Sequence, residues 1–225
     1  MSPTSGARHL TDELAALRSS LMDMAASVEE LLRTAMEALR ERSVEKAQSV
    51  VFGDREVDAL ELELDDASIN LLARHQPVAR DLRLIATTMR VSNDLERIGD
   101  HAVNIAEVVL SLEGKSLPGR FRELDEMARI AQGMLGDALN AFVRRDGALA
   151  REVCRRDDQV DSLLDTLFRI LLTHMMEDPR NIGVAMSLIL VSRNLERVAD
   201  LATNIAEDVV YMVEGQTIKH GDELP

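Results

Sequence analysis

One helical phrase occurs twice in this chain. SNDLERIGDHAVNIAEVV, from Ser92 to Val109, returns as SRNLERVADLATNIAEDVV, from Ser192 to Val210. At a fixed offset of 100, 12 of the 19 positions from Val91 to Val109 are identical to their counterparts from Val191 to Val209. Self-similarity of this kind marks a duplicated structural unit, so the chain must fold into two copies of one arrangement. The duplication extends upstream. DREVD from Asp54 to Asp58 answers DDQVD from Asp157 to Asp161, and Pro77 answers Pro179.

Local patterning says what each copy is made of. Apolar residues recur every three or four positions from Leu10 to Leu39 with no Pro or Gly between them, which predicts one long amphipathic helix. Ser43 is placed to cap a second helix running to about His75. Pro77 suits the first turn of a third, where its missing N–H would be unpaired anyway, and that helix reaches about Glu113. GKSLPG, from Gly114 to Gly119, is the clearest break. Beyond it the pattern restarts, with a helix from about Phe121 to Arg145, Asp146 as the cap of a fifth reaching about Met176, and a last one to about Val213. No segment alternates with period two between turn residues, so strands are not expected. The chain reads as all-α, with three helices in residues 1–114, three in 119–215, and a frayed tail over 216–225.

Composition narrows the function. Forty acidic against 26 basic residues leave a formal charge of -14, and such a surface repels phosphate backbones, which argues against nucleic acid as a partner. Four Phe, one Tyr and no Trp leave Leu, Ile, Val, Met and Ala to fill the core, and Met22, Met24, Met36, Met89, Met127, Met134, Met175, Met176 and Met186 are expected there. The lone Cys154 has no partner for a disulfide and reads as a core thiol in a reducing compartment. MSPTSGARHL at the N-terminus has no apolar run, and the longest apolar stretch, IGVAMSLILV from Ile182 to Val191, is about half of the roughly 20 residues needed to cross a bilayer. The expectation is a cytoplasmic protein that reaches a membrane only through partners.

The doubled phrase also carries chemistry. Residues four apart on an α-helix face the same way, so Glu96, Asp100 and Asn104 form one stripe and Glu196, Asp200 and Asn204 its repeat. Asp54, Asp58, Glu61 and Asp65 form a stripe on the second helix, answered more thinly by Asp157, Asp161 and Asp165 on the fifth. If the second and third helices fold back near Gln76, Asp58 precedes the turn by about as many residues as Glu96 follows it. At about 1.5 Å per residue the two stand at nearly one height, and Asp161 and Glu196 match in the same way about Asp178. Four carboxylates at one level repel. An all-oxygen donor set without sulfur or imidazole suits a hard cation such as magnesium, calcium or manganese, or oxygen-ligated iron, whose charge would remove that repulsion.

The competing reading is a solvated acidic face, with Arg97, Arg193 and Arg55 placed to pair locally with Asp100, Glu196 and Asp58. The five histidines, His9, His75, His101, His174 and His220, read as surface residues. There is no Glu-x-x-His, the motif of a ferritin-like di-iron site, and no glycine-rich phosphate loop.

LERIGDHAVNIAE and LERVADLATNIAE, together with DREVDALELE and QPVARDLRLI in the first half, resemble the PhoU family of phosphate-specific transport accessory proteins, from about Leu10 to Val213. The resemblance implies two three-helix bundles related by pseudo-two-fold symmetry. It implies metal binding at Asp54, Asp58, Glu96, Asp100 and Asn104, and at Asp157, Asp161, Glu196, Asp200 and Asn204. It further implies a non-enzymatic negative regulator of the phosphate-starvation response and of high-affinity phosphate uptake, linking the ATPase subunit of a phosphate ABC transporter to a sensor histidine kinase. Leu164 and Leu201 stand where the first half has Glu61 and His101, so a weaker second site is expected. A homodimer is expected from long apolar helix faces that two shallow bundles do not cover. A carboxylate-bridged metalloenzyme and a metal-free helical interaction module remain as alternatives.

Overall fold

The computed structural model describes residues 5–115 and 119–218, and within these it is helical with no strand. The first half holds α1 (Ser5–Glu41), α2 (Val44–His75) and α3 (Ala79–Ser111). The second holds α4 (Arg122–Arg144), α5 (Gly147–Cys154), α6 (Asp157–Glu177) and, after a short 3-10 turn at Pro179–Asn181, α7 (Ile182–Glu214). The expected tail of 216–225 lies mostly outside the described residues, as does His220.

The caps follow the sequence. Ser43 accepts from the Lys46 amide at 3.2 Å, and Asp146 accepts from the amides of both Ala148 and Leu149 at 3.0 Å. Two expectations fail locally. Pro77 lies ahead of α3, whose N-cap is Val78 in extended conformation. The residue before a proline avoids helical φ and ψ, and Gln76, left-handed at φ 47, ends α2 there.

The expected fifth helix is also two helices. At Arg155 and Arg156 the backbone tightens, Arg156 donating to the Val153 carbonyl three residues back, while its guanidinium reaches Asp137 on α4 at 2.6 Å. The equivalent stretch of α2 contains Gly53, where an added Cβ would stand 2.8 Å from Leu31 of α1. A helix carrying Arg at that place has no such close approach open to it. The chain breaks instead, and α6 begins at Asp157.

In each half the helices pack on one another, and α3 and α7 then pack together along the middle of the molecule. These two run antiparallel: Arg83 Nε donates to the Met212 carbonyl, Thr87 faces Asp208, and His101 faces Asn194. Related helices meeting in this way is what a pseudo-two-fold axis between them requires. Leu95, Ile98, Ala102 and Ile105 of α3 and Leu195, Val198, Ala199 and Ala202 of α7 are fully buried, and the core is continuous through both halves.

Met24, Met36, Met127 and Met134 are in it, as expected. Met22, Met89 and Met175 are partly covered, whereas Met176 and Met186 are exposed at 78% and 50%. Met176 lies in the last turn of α6 and Met186 on the outer side of α7, where helical position and not residue type decides burial.

Candidate functional site

The apolar positions of α2 and α3 decide where their acids go. Val57, Leu64 and Leu71 on α2 and Leu95, Ile98 and Ala102 on α3 turn into the core, which leaves the two acidic stripes along the outer seam between these helices. Asp54 lies tight against α3. Its Oδ1 would be only 2.9 Å from a Cβ at Gly99, so the carboxylate nests against the α3 backbone because residue 99 has no side chain.

Crowding is visible in the proton affinities. The Asp54 carboxyl is pushed up to about 6, first by burial and then by Asp58 and Asp100. Glu96 is raised by burial and then by Asp100, Glu61, Asp58 and Asp54. Two stripes on separate helices therefore act on one another, as the matched heights required. Glu61 belongs with this group. Its place in the α2 stripe was the signal for it, and it bears on Glu96 more strongly than Asp58 does.

The seam between α6 and α7 repeats the arrangement. Asp157 is pushed up to about 6, first by burial and then by Asp200, Asp161, Asp158 and Glu196. Asp161 is raised by burial, then by Asp200, Asp158 and Asp165. Glu196 is raised by burial and by Asp200, with Arg197 and Arg193 opposing. Ala199 stands where the first seam has Gly99.

The two clusters differ in their compensation. Arg197 lies 2.9 Å from Asp200 and 3.5 Å from Glu196. Its counterpart Arg97 turns away from Asp100 to Asp94, at 3.8 Å, and Arg55 lies over the Phe52 ring and not on Asp58. The first cluster thus keeps its negative charge largely uncompensated, while the second carries an arginine of its own. Asn104 and Asn204 follow one turn further along the same stripes, the first exposed and the second half-buried.

The donors present suit a hard cation: carboxylates from two helices, open to solvent on one side, their mutual repulsion unrelieved in the first cluster. Among the described residues, no group of three or more His, Cys, Asp or Glu side chains is placed to hold a metal ion as it stands. The arrangement is an open acidic seam and not a buried pocket.

Some residues read as surface take part in the fold. His101 Nδ1 donates to the Asn194 side-chain oxygen at 2.8 Å, and the Asn194 amide is oriented by its own bond to the Leu190 carbonyl. This joins the two halves, and it has no repeat because residue 201 is Leu. His75 is half-buried and 2.8 Å from Glu13, while His174 meets Phe121 edge to face. Cys154 is half-buried against the core, its thiol pushed up to about 11 chiefly by burial. No described helix is long and apolar enough to cross a membrane.

Comparison with known proteins agrees with this architecture. The sequence profile of one family, described as the PhoU domain, matches residues 21–109 and again 124–209. The chain is 39% identical over 211 residues to the phosphate-specific transport system accessory protein PhoU homolog of Aquifex aeolicus, covering 94% of this chain and 96% of that one. It is 35% identical over 214 residues to the phosphate-specific transport system accessory protein PhoU of Escherichia coli K12, covering 94% and 89%. The crystal structure of PhoU from Pseudomonas aeruginosa superposes with a TM-score of 0.88 at 39% identity, over 92% of this chain and 99% of that one. The phosphate transport system regulatory protein PhoU from Streptococcus pneumoniae superposes with a TM-score of 0.87 at 28% identity, over 94% and 100%.

Proposed function

Because the chain belongs to the PhoU family, we propose that it is a helical regulator accessory to phosphate transport, restraining high-affinity phosphate uptake and the starvation response when phosphate is plentiful. The observation that carries this reading is the paired match to the family across both repeats, in relatives named as phosphate-specific transport accessory proteins. Its partners on this reading are the ATPase subunit of a phosphate ABC transporter and a sensor histidine kinase, with the membrane reached only through them. Exposed apolar side chains on the outer faces of the second repeat, among them Phe168, Leu172, Met186 and Leu190, supply surface for a protein partner or a second copy in a homodimer. The role is that of an adaptor and not an enzyme.

We further propose that the acidic seams hold oxygen-ligated metal ions. Asp54, Asp58, Glu96 and Asp100, joined by Glu61, form the first site, and Asp157, Asp161, Glu196 and Asp200 the second. A bound cation supplies positive charge where like charges now face each other. The carboxylates from α2 and α3 would then be held together across the seam, and those from α6 and α7 likewise. Arg197 gives a specific reason to read the second seam differently, because a guanidinium already answers its acids. The first site should bind more tightly.

Two measurements test the reading separately. Deleting the protein should derepress starvation genes in high phosphate, and unchanged expression removes the regulatory role. Elemental analysis of protein purified without chelator should find iron, magnesium, manganese or calcium, and the quadruple variant E96A/D100A/E196A/D200A should lose it. Metal retained by that variant removes the sites proposed here.

A further inference from the structure

A cavity of about 340 Å³ opens where the halves meet, lined by Arg80, Arg83 and Leu84 from the start of α3, Arg145 from the end of α4, and Met212 and Val213 from the end of α7. Three guanidiniums at one cavity are unexpected in a chain of formal charge -14. The antiparallel packing of α3 and α7 puts them there, because it brings the start of one beside the end of the other.

Some of this charge has a structural use. Arg83 Nε donates to the Met212 carbonyl, and Arg18, close by, donates to the Val143 carbonyl at 2.8 Å. Each satisfies a helix-end acceptor. Arg80 and Arg145 do neither: among the described residues they make no ion pair and no side-chain hydrogen bond. Arg145 is half-buried, and its affinity for its proton is lowered first by burial and then by Arg80 and Arg18, with Asp81 as the one opposing acid. The start of α3 has no side-chain cap, so its positive dipole end adds to the same field, with Asp81 the one acid in its first turn.

The duplication supplies an internal control. Arg42 ends α1 in the same left-handed conformation as Arg145, with φ 56 against φ 55, and it too lines a cavity, of about 360 Å³. That cavity contains Glu113, and Arg42 is bonded to the Lys115 carbonyl at 3.4 Å. The fold therefore does not require three arginines at one cavity in this place. It occurs in one repeat only.

We propose that the cavity between Arg80, Arg83 and Arg145 binds a tetrahedral oxyanion, either inorganic phosphate or the phosphoryl group of a small metabolite. Guanidiniums converging from two helices match several oxygens of one small dianion, and each can offer paired N–H donors. A cavity of this size, at the small end of ligand pockets, excludes a folded partner and leaves room for a phosphate with a modest substituent. The site is separate from the acidic seams and stands whether or not those bind metal.

The test is calorimetric titration of the full-length, chelator-treated protein with inorganic phosphate and, separately, with AMP, at constant ionic strength. One saturable phosphate per chain is expected. Losing a charge-assisted contact weakens binding by about tenfold, so R80Q should bind about tenfold less tightly and R80Q/R145Q about a hundredfold. R42Q should bind like the parent. Arg80 is exposed and caps nothing, so R80Q alone decides the matter if the double variant does not fold. Tighter binding of AMP, displaced by phosphate, assigns the site to a phosphorylated metabolite, and preference for phosphate assigns it to the free ion. Absence of saturable binding by either, or binding equal in parent and R80Q, overturns the proposal.

Discussion

Residue 99 shows how much one missing methyl group decides. Gly99 and Ala199 occupy equivalent positions, both buried, and at Gly99 a carboxylate oxygen lies 2.9 Å from where a Cβ would stand. In Gly99→Ala the Asp54 carboxylate must give up this position. Ala199 in the other copy indicates that the helix itself accepts the methyl group, and helix propensity favours it. The expected result is a folded protein whose first site binds metal roughly tenfold more weakly, the size typical of disturbing the surroundings of a metal ligand, with the second site unchanged. Titration with manganese, followed by stoichiometry, checks this. Unchanged affinity at the first site would show that the nest at Gly99 has no bearing on binding.

Among the elements, the α4–α5 junction carries the most local information. Arg145 closes α4 in a left-handed conformation, and Asp146 at once opens α5 by accepting two amides. The turn brings α5 back against α7, where Arg151 holds Glu214 through two bonds of 2.6 and 2.7 Å. Replacing Asp146 with Ala leaves both amides without their acceptor. Such a loss costs about 1 kcal/mol, and in a chain of this size it should lower Tm by about 2–4 °C in a thermal melt followed by circular dichroism. A Tm equal to the parent's would mean that the cap is not needed to start α5. Ser43 caps the matching helix with a single amide bond, so its replacement should cost no more.

For the whole molecule, the raised carboxyls make stability depend on pH. Asp54 and Asp157 titrate near 6 in the folded chain, well above their ordinary value. The folded state therefore holds these protons where the unfolded state has released them. Between about pH 4 and about pH 6 stability falls as pH rises, and the loss is complete above about pH 6. Groups whose affinity is lowered, such as Glu37 beside Lys46 and Glu214 beside Arg151, act in the opposite sense, and their contribution disappears only on acidification below the ordinary carboxylate range. Chelator-treated protein should thus melt at a higher temperature at about pH 5 than at about pH 7.5. Saturating metal, which binds the ionised form, should remove the difference. A metal-free Tm that rises from about pH 5 to about pH 7.5 would contradict the electrostatic picture of the seams.

The sequence by itself determined the all-helical build, its duplication and the membership of each acidic stripe. All three are periodic properties: a residue's place on a helix follows from its number once the helix is given. It also brought Asp58 level with Glu96, because rise per residue is constant. Other features depend on how one helix meets another. The break before Asp157 turns on whether Gly53 or Arg156 faces the first helix of its own repeat, and the nest for Asp54 on the distance between α2 and α3. The link from His101 to Asn194 and the gathering of Arg80, Arg83 and Arg145 from distant parts of the chain depend on contacts between side chains far apart in sequence. Periodicity carries no information about such contacts, and only the antiparallel packing of α3 against α7 decided them.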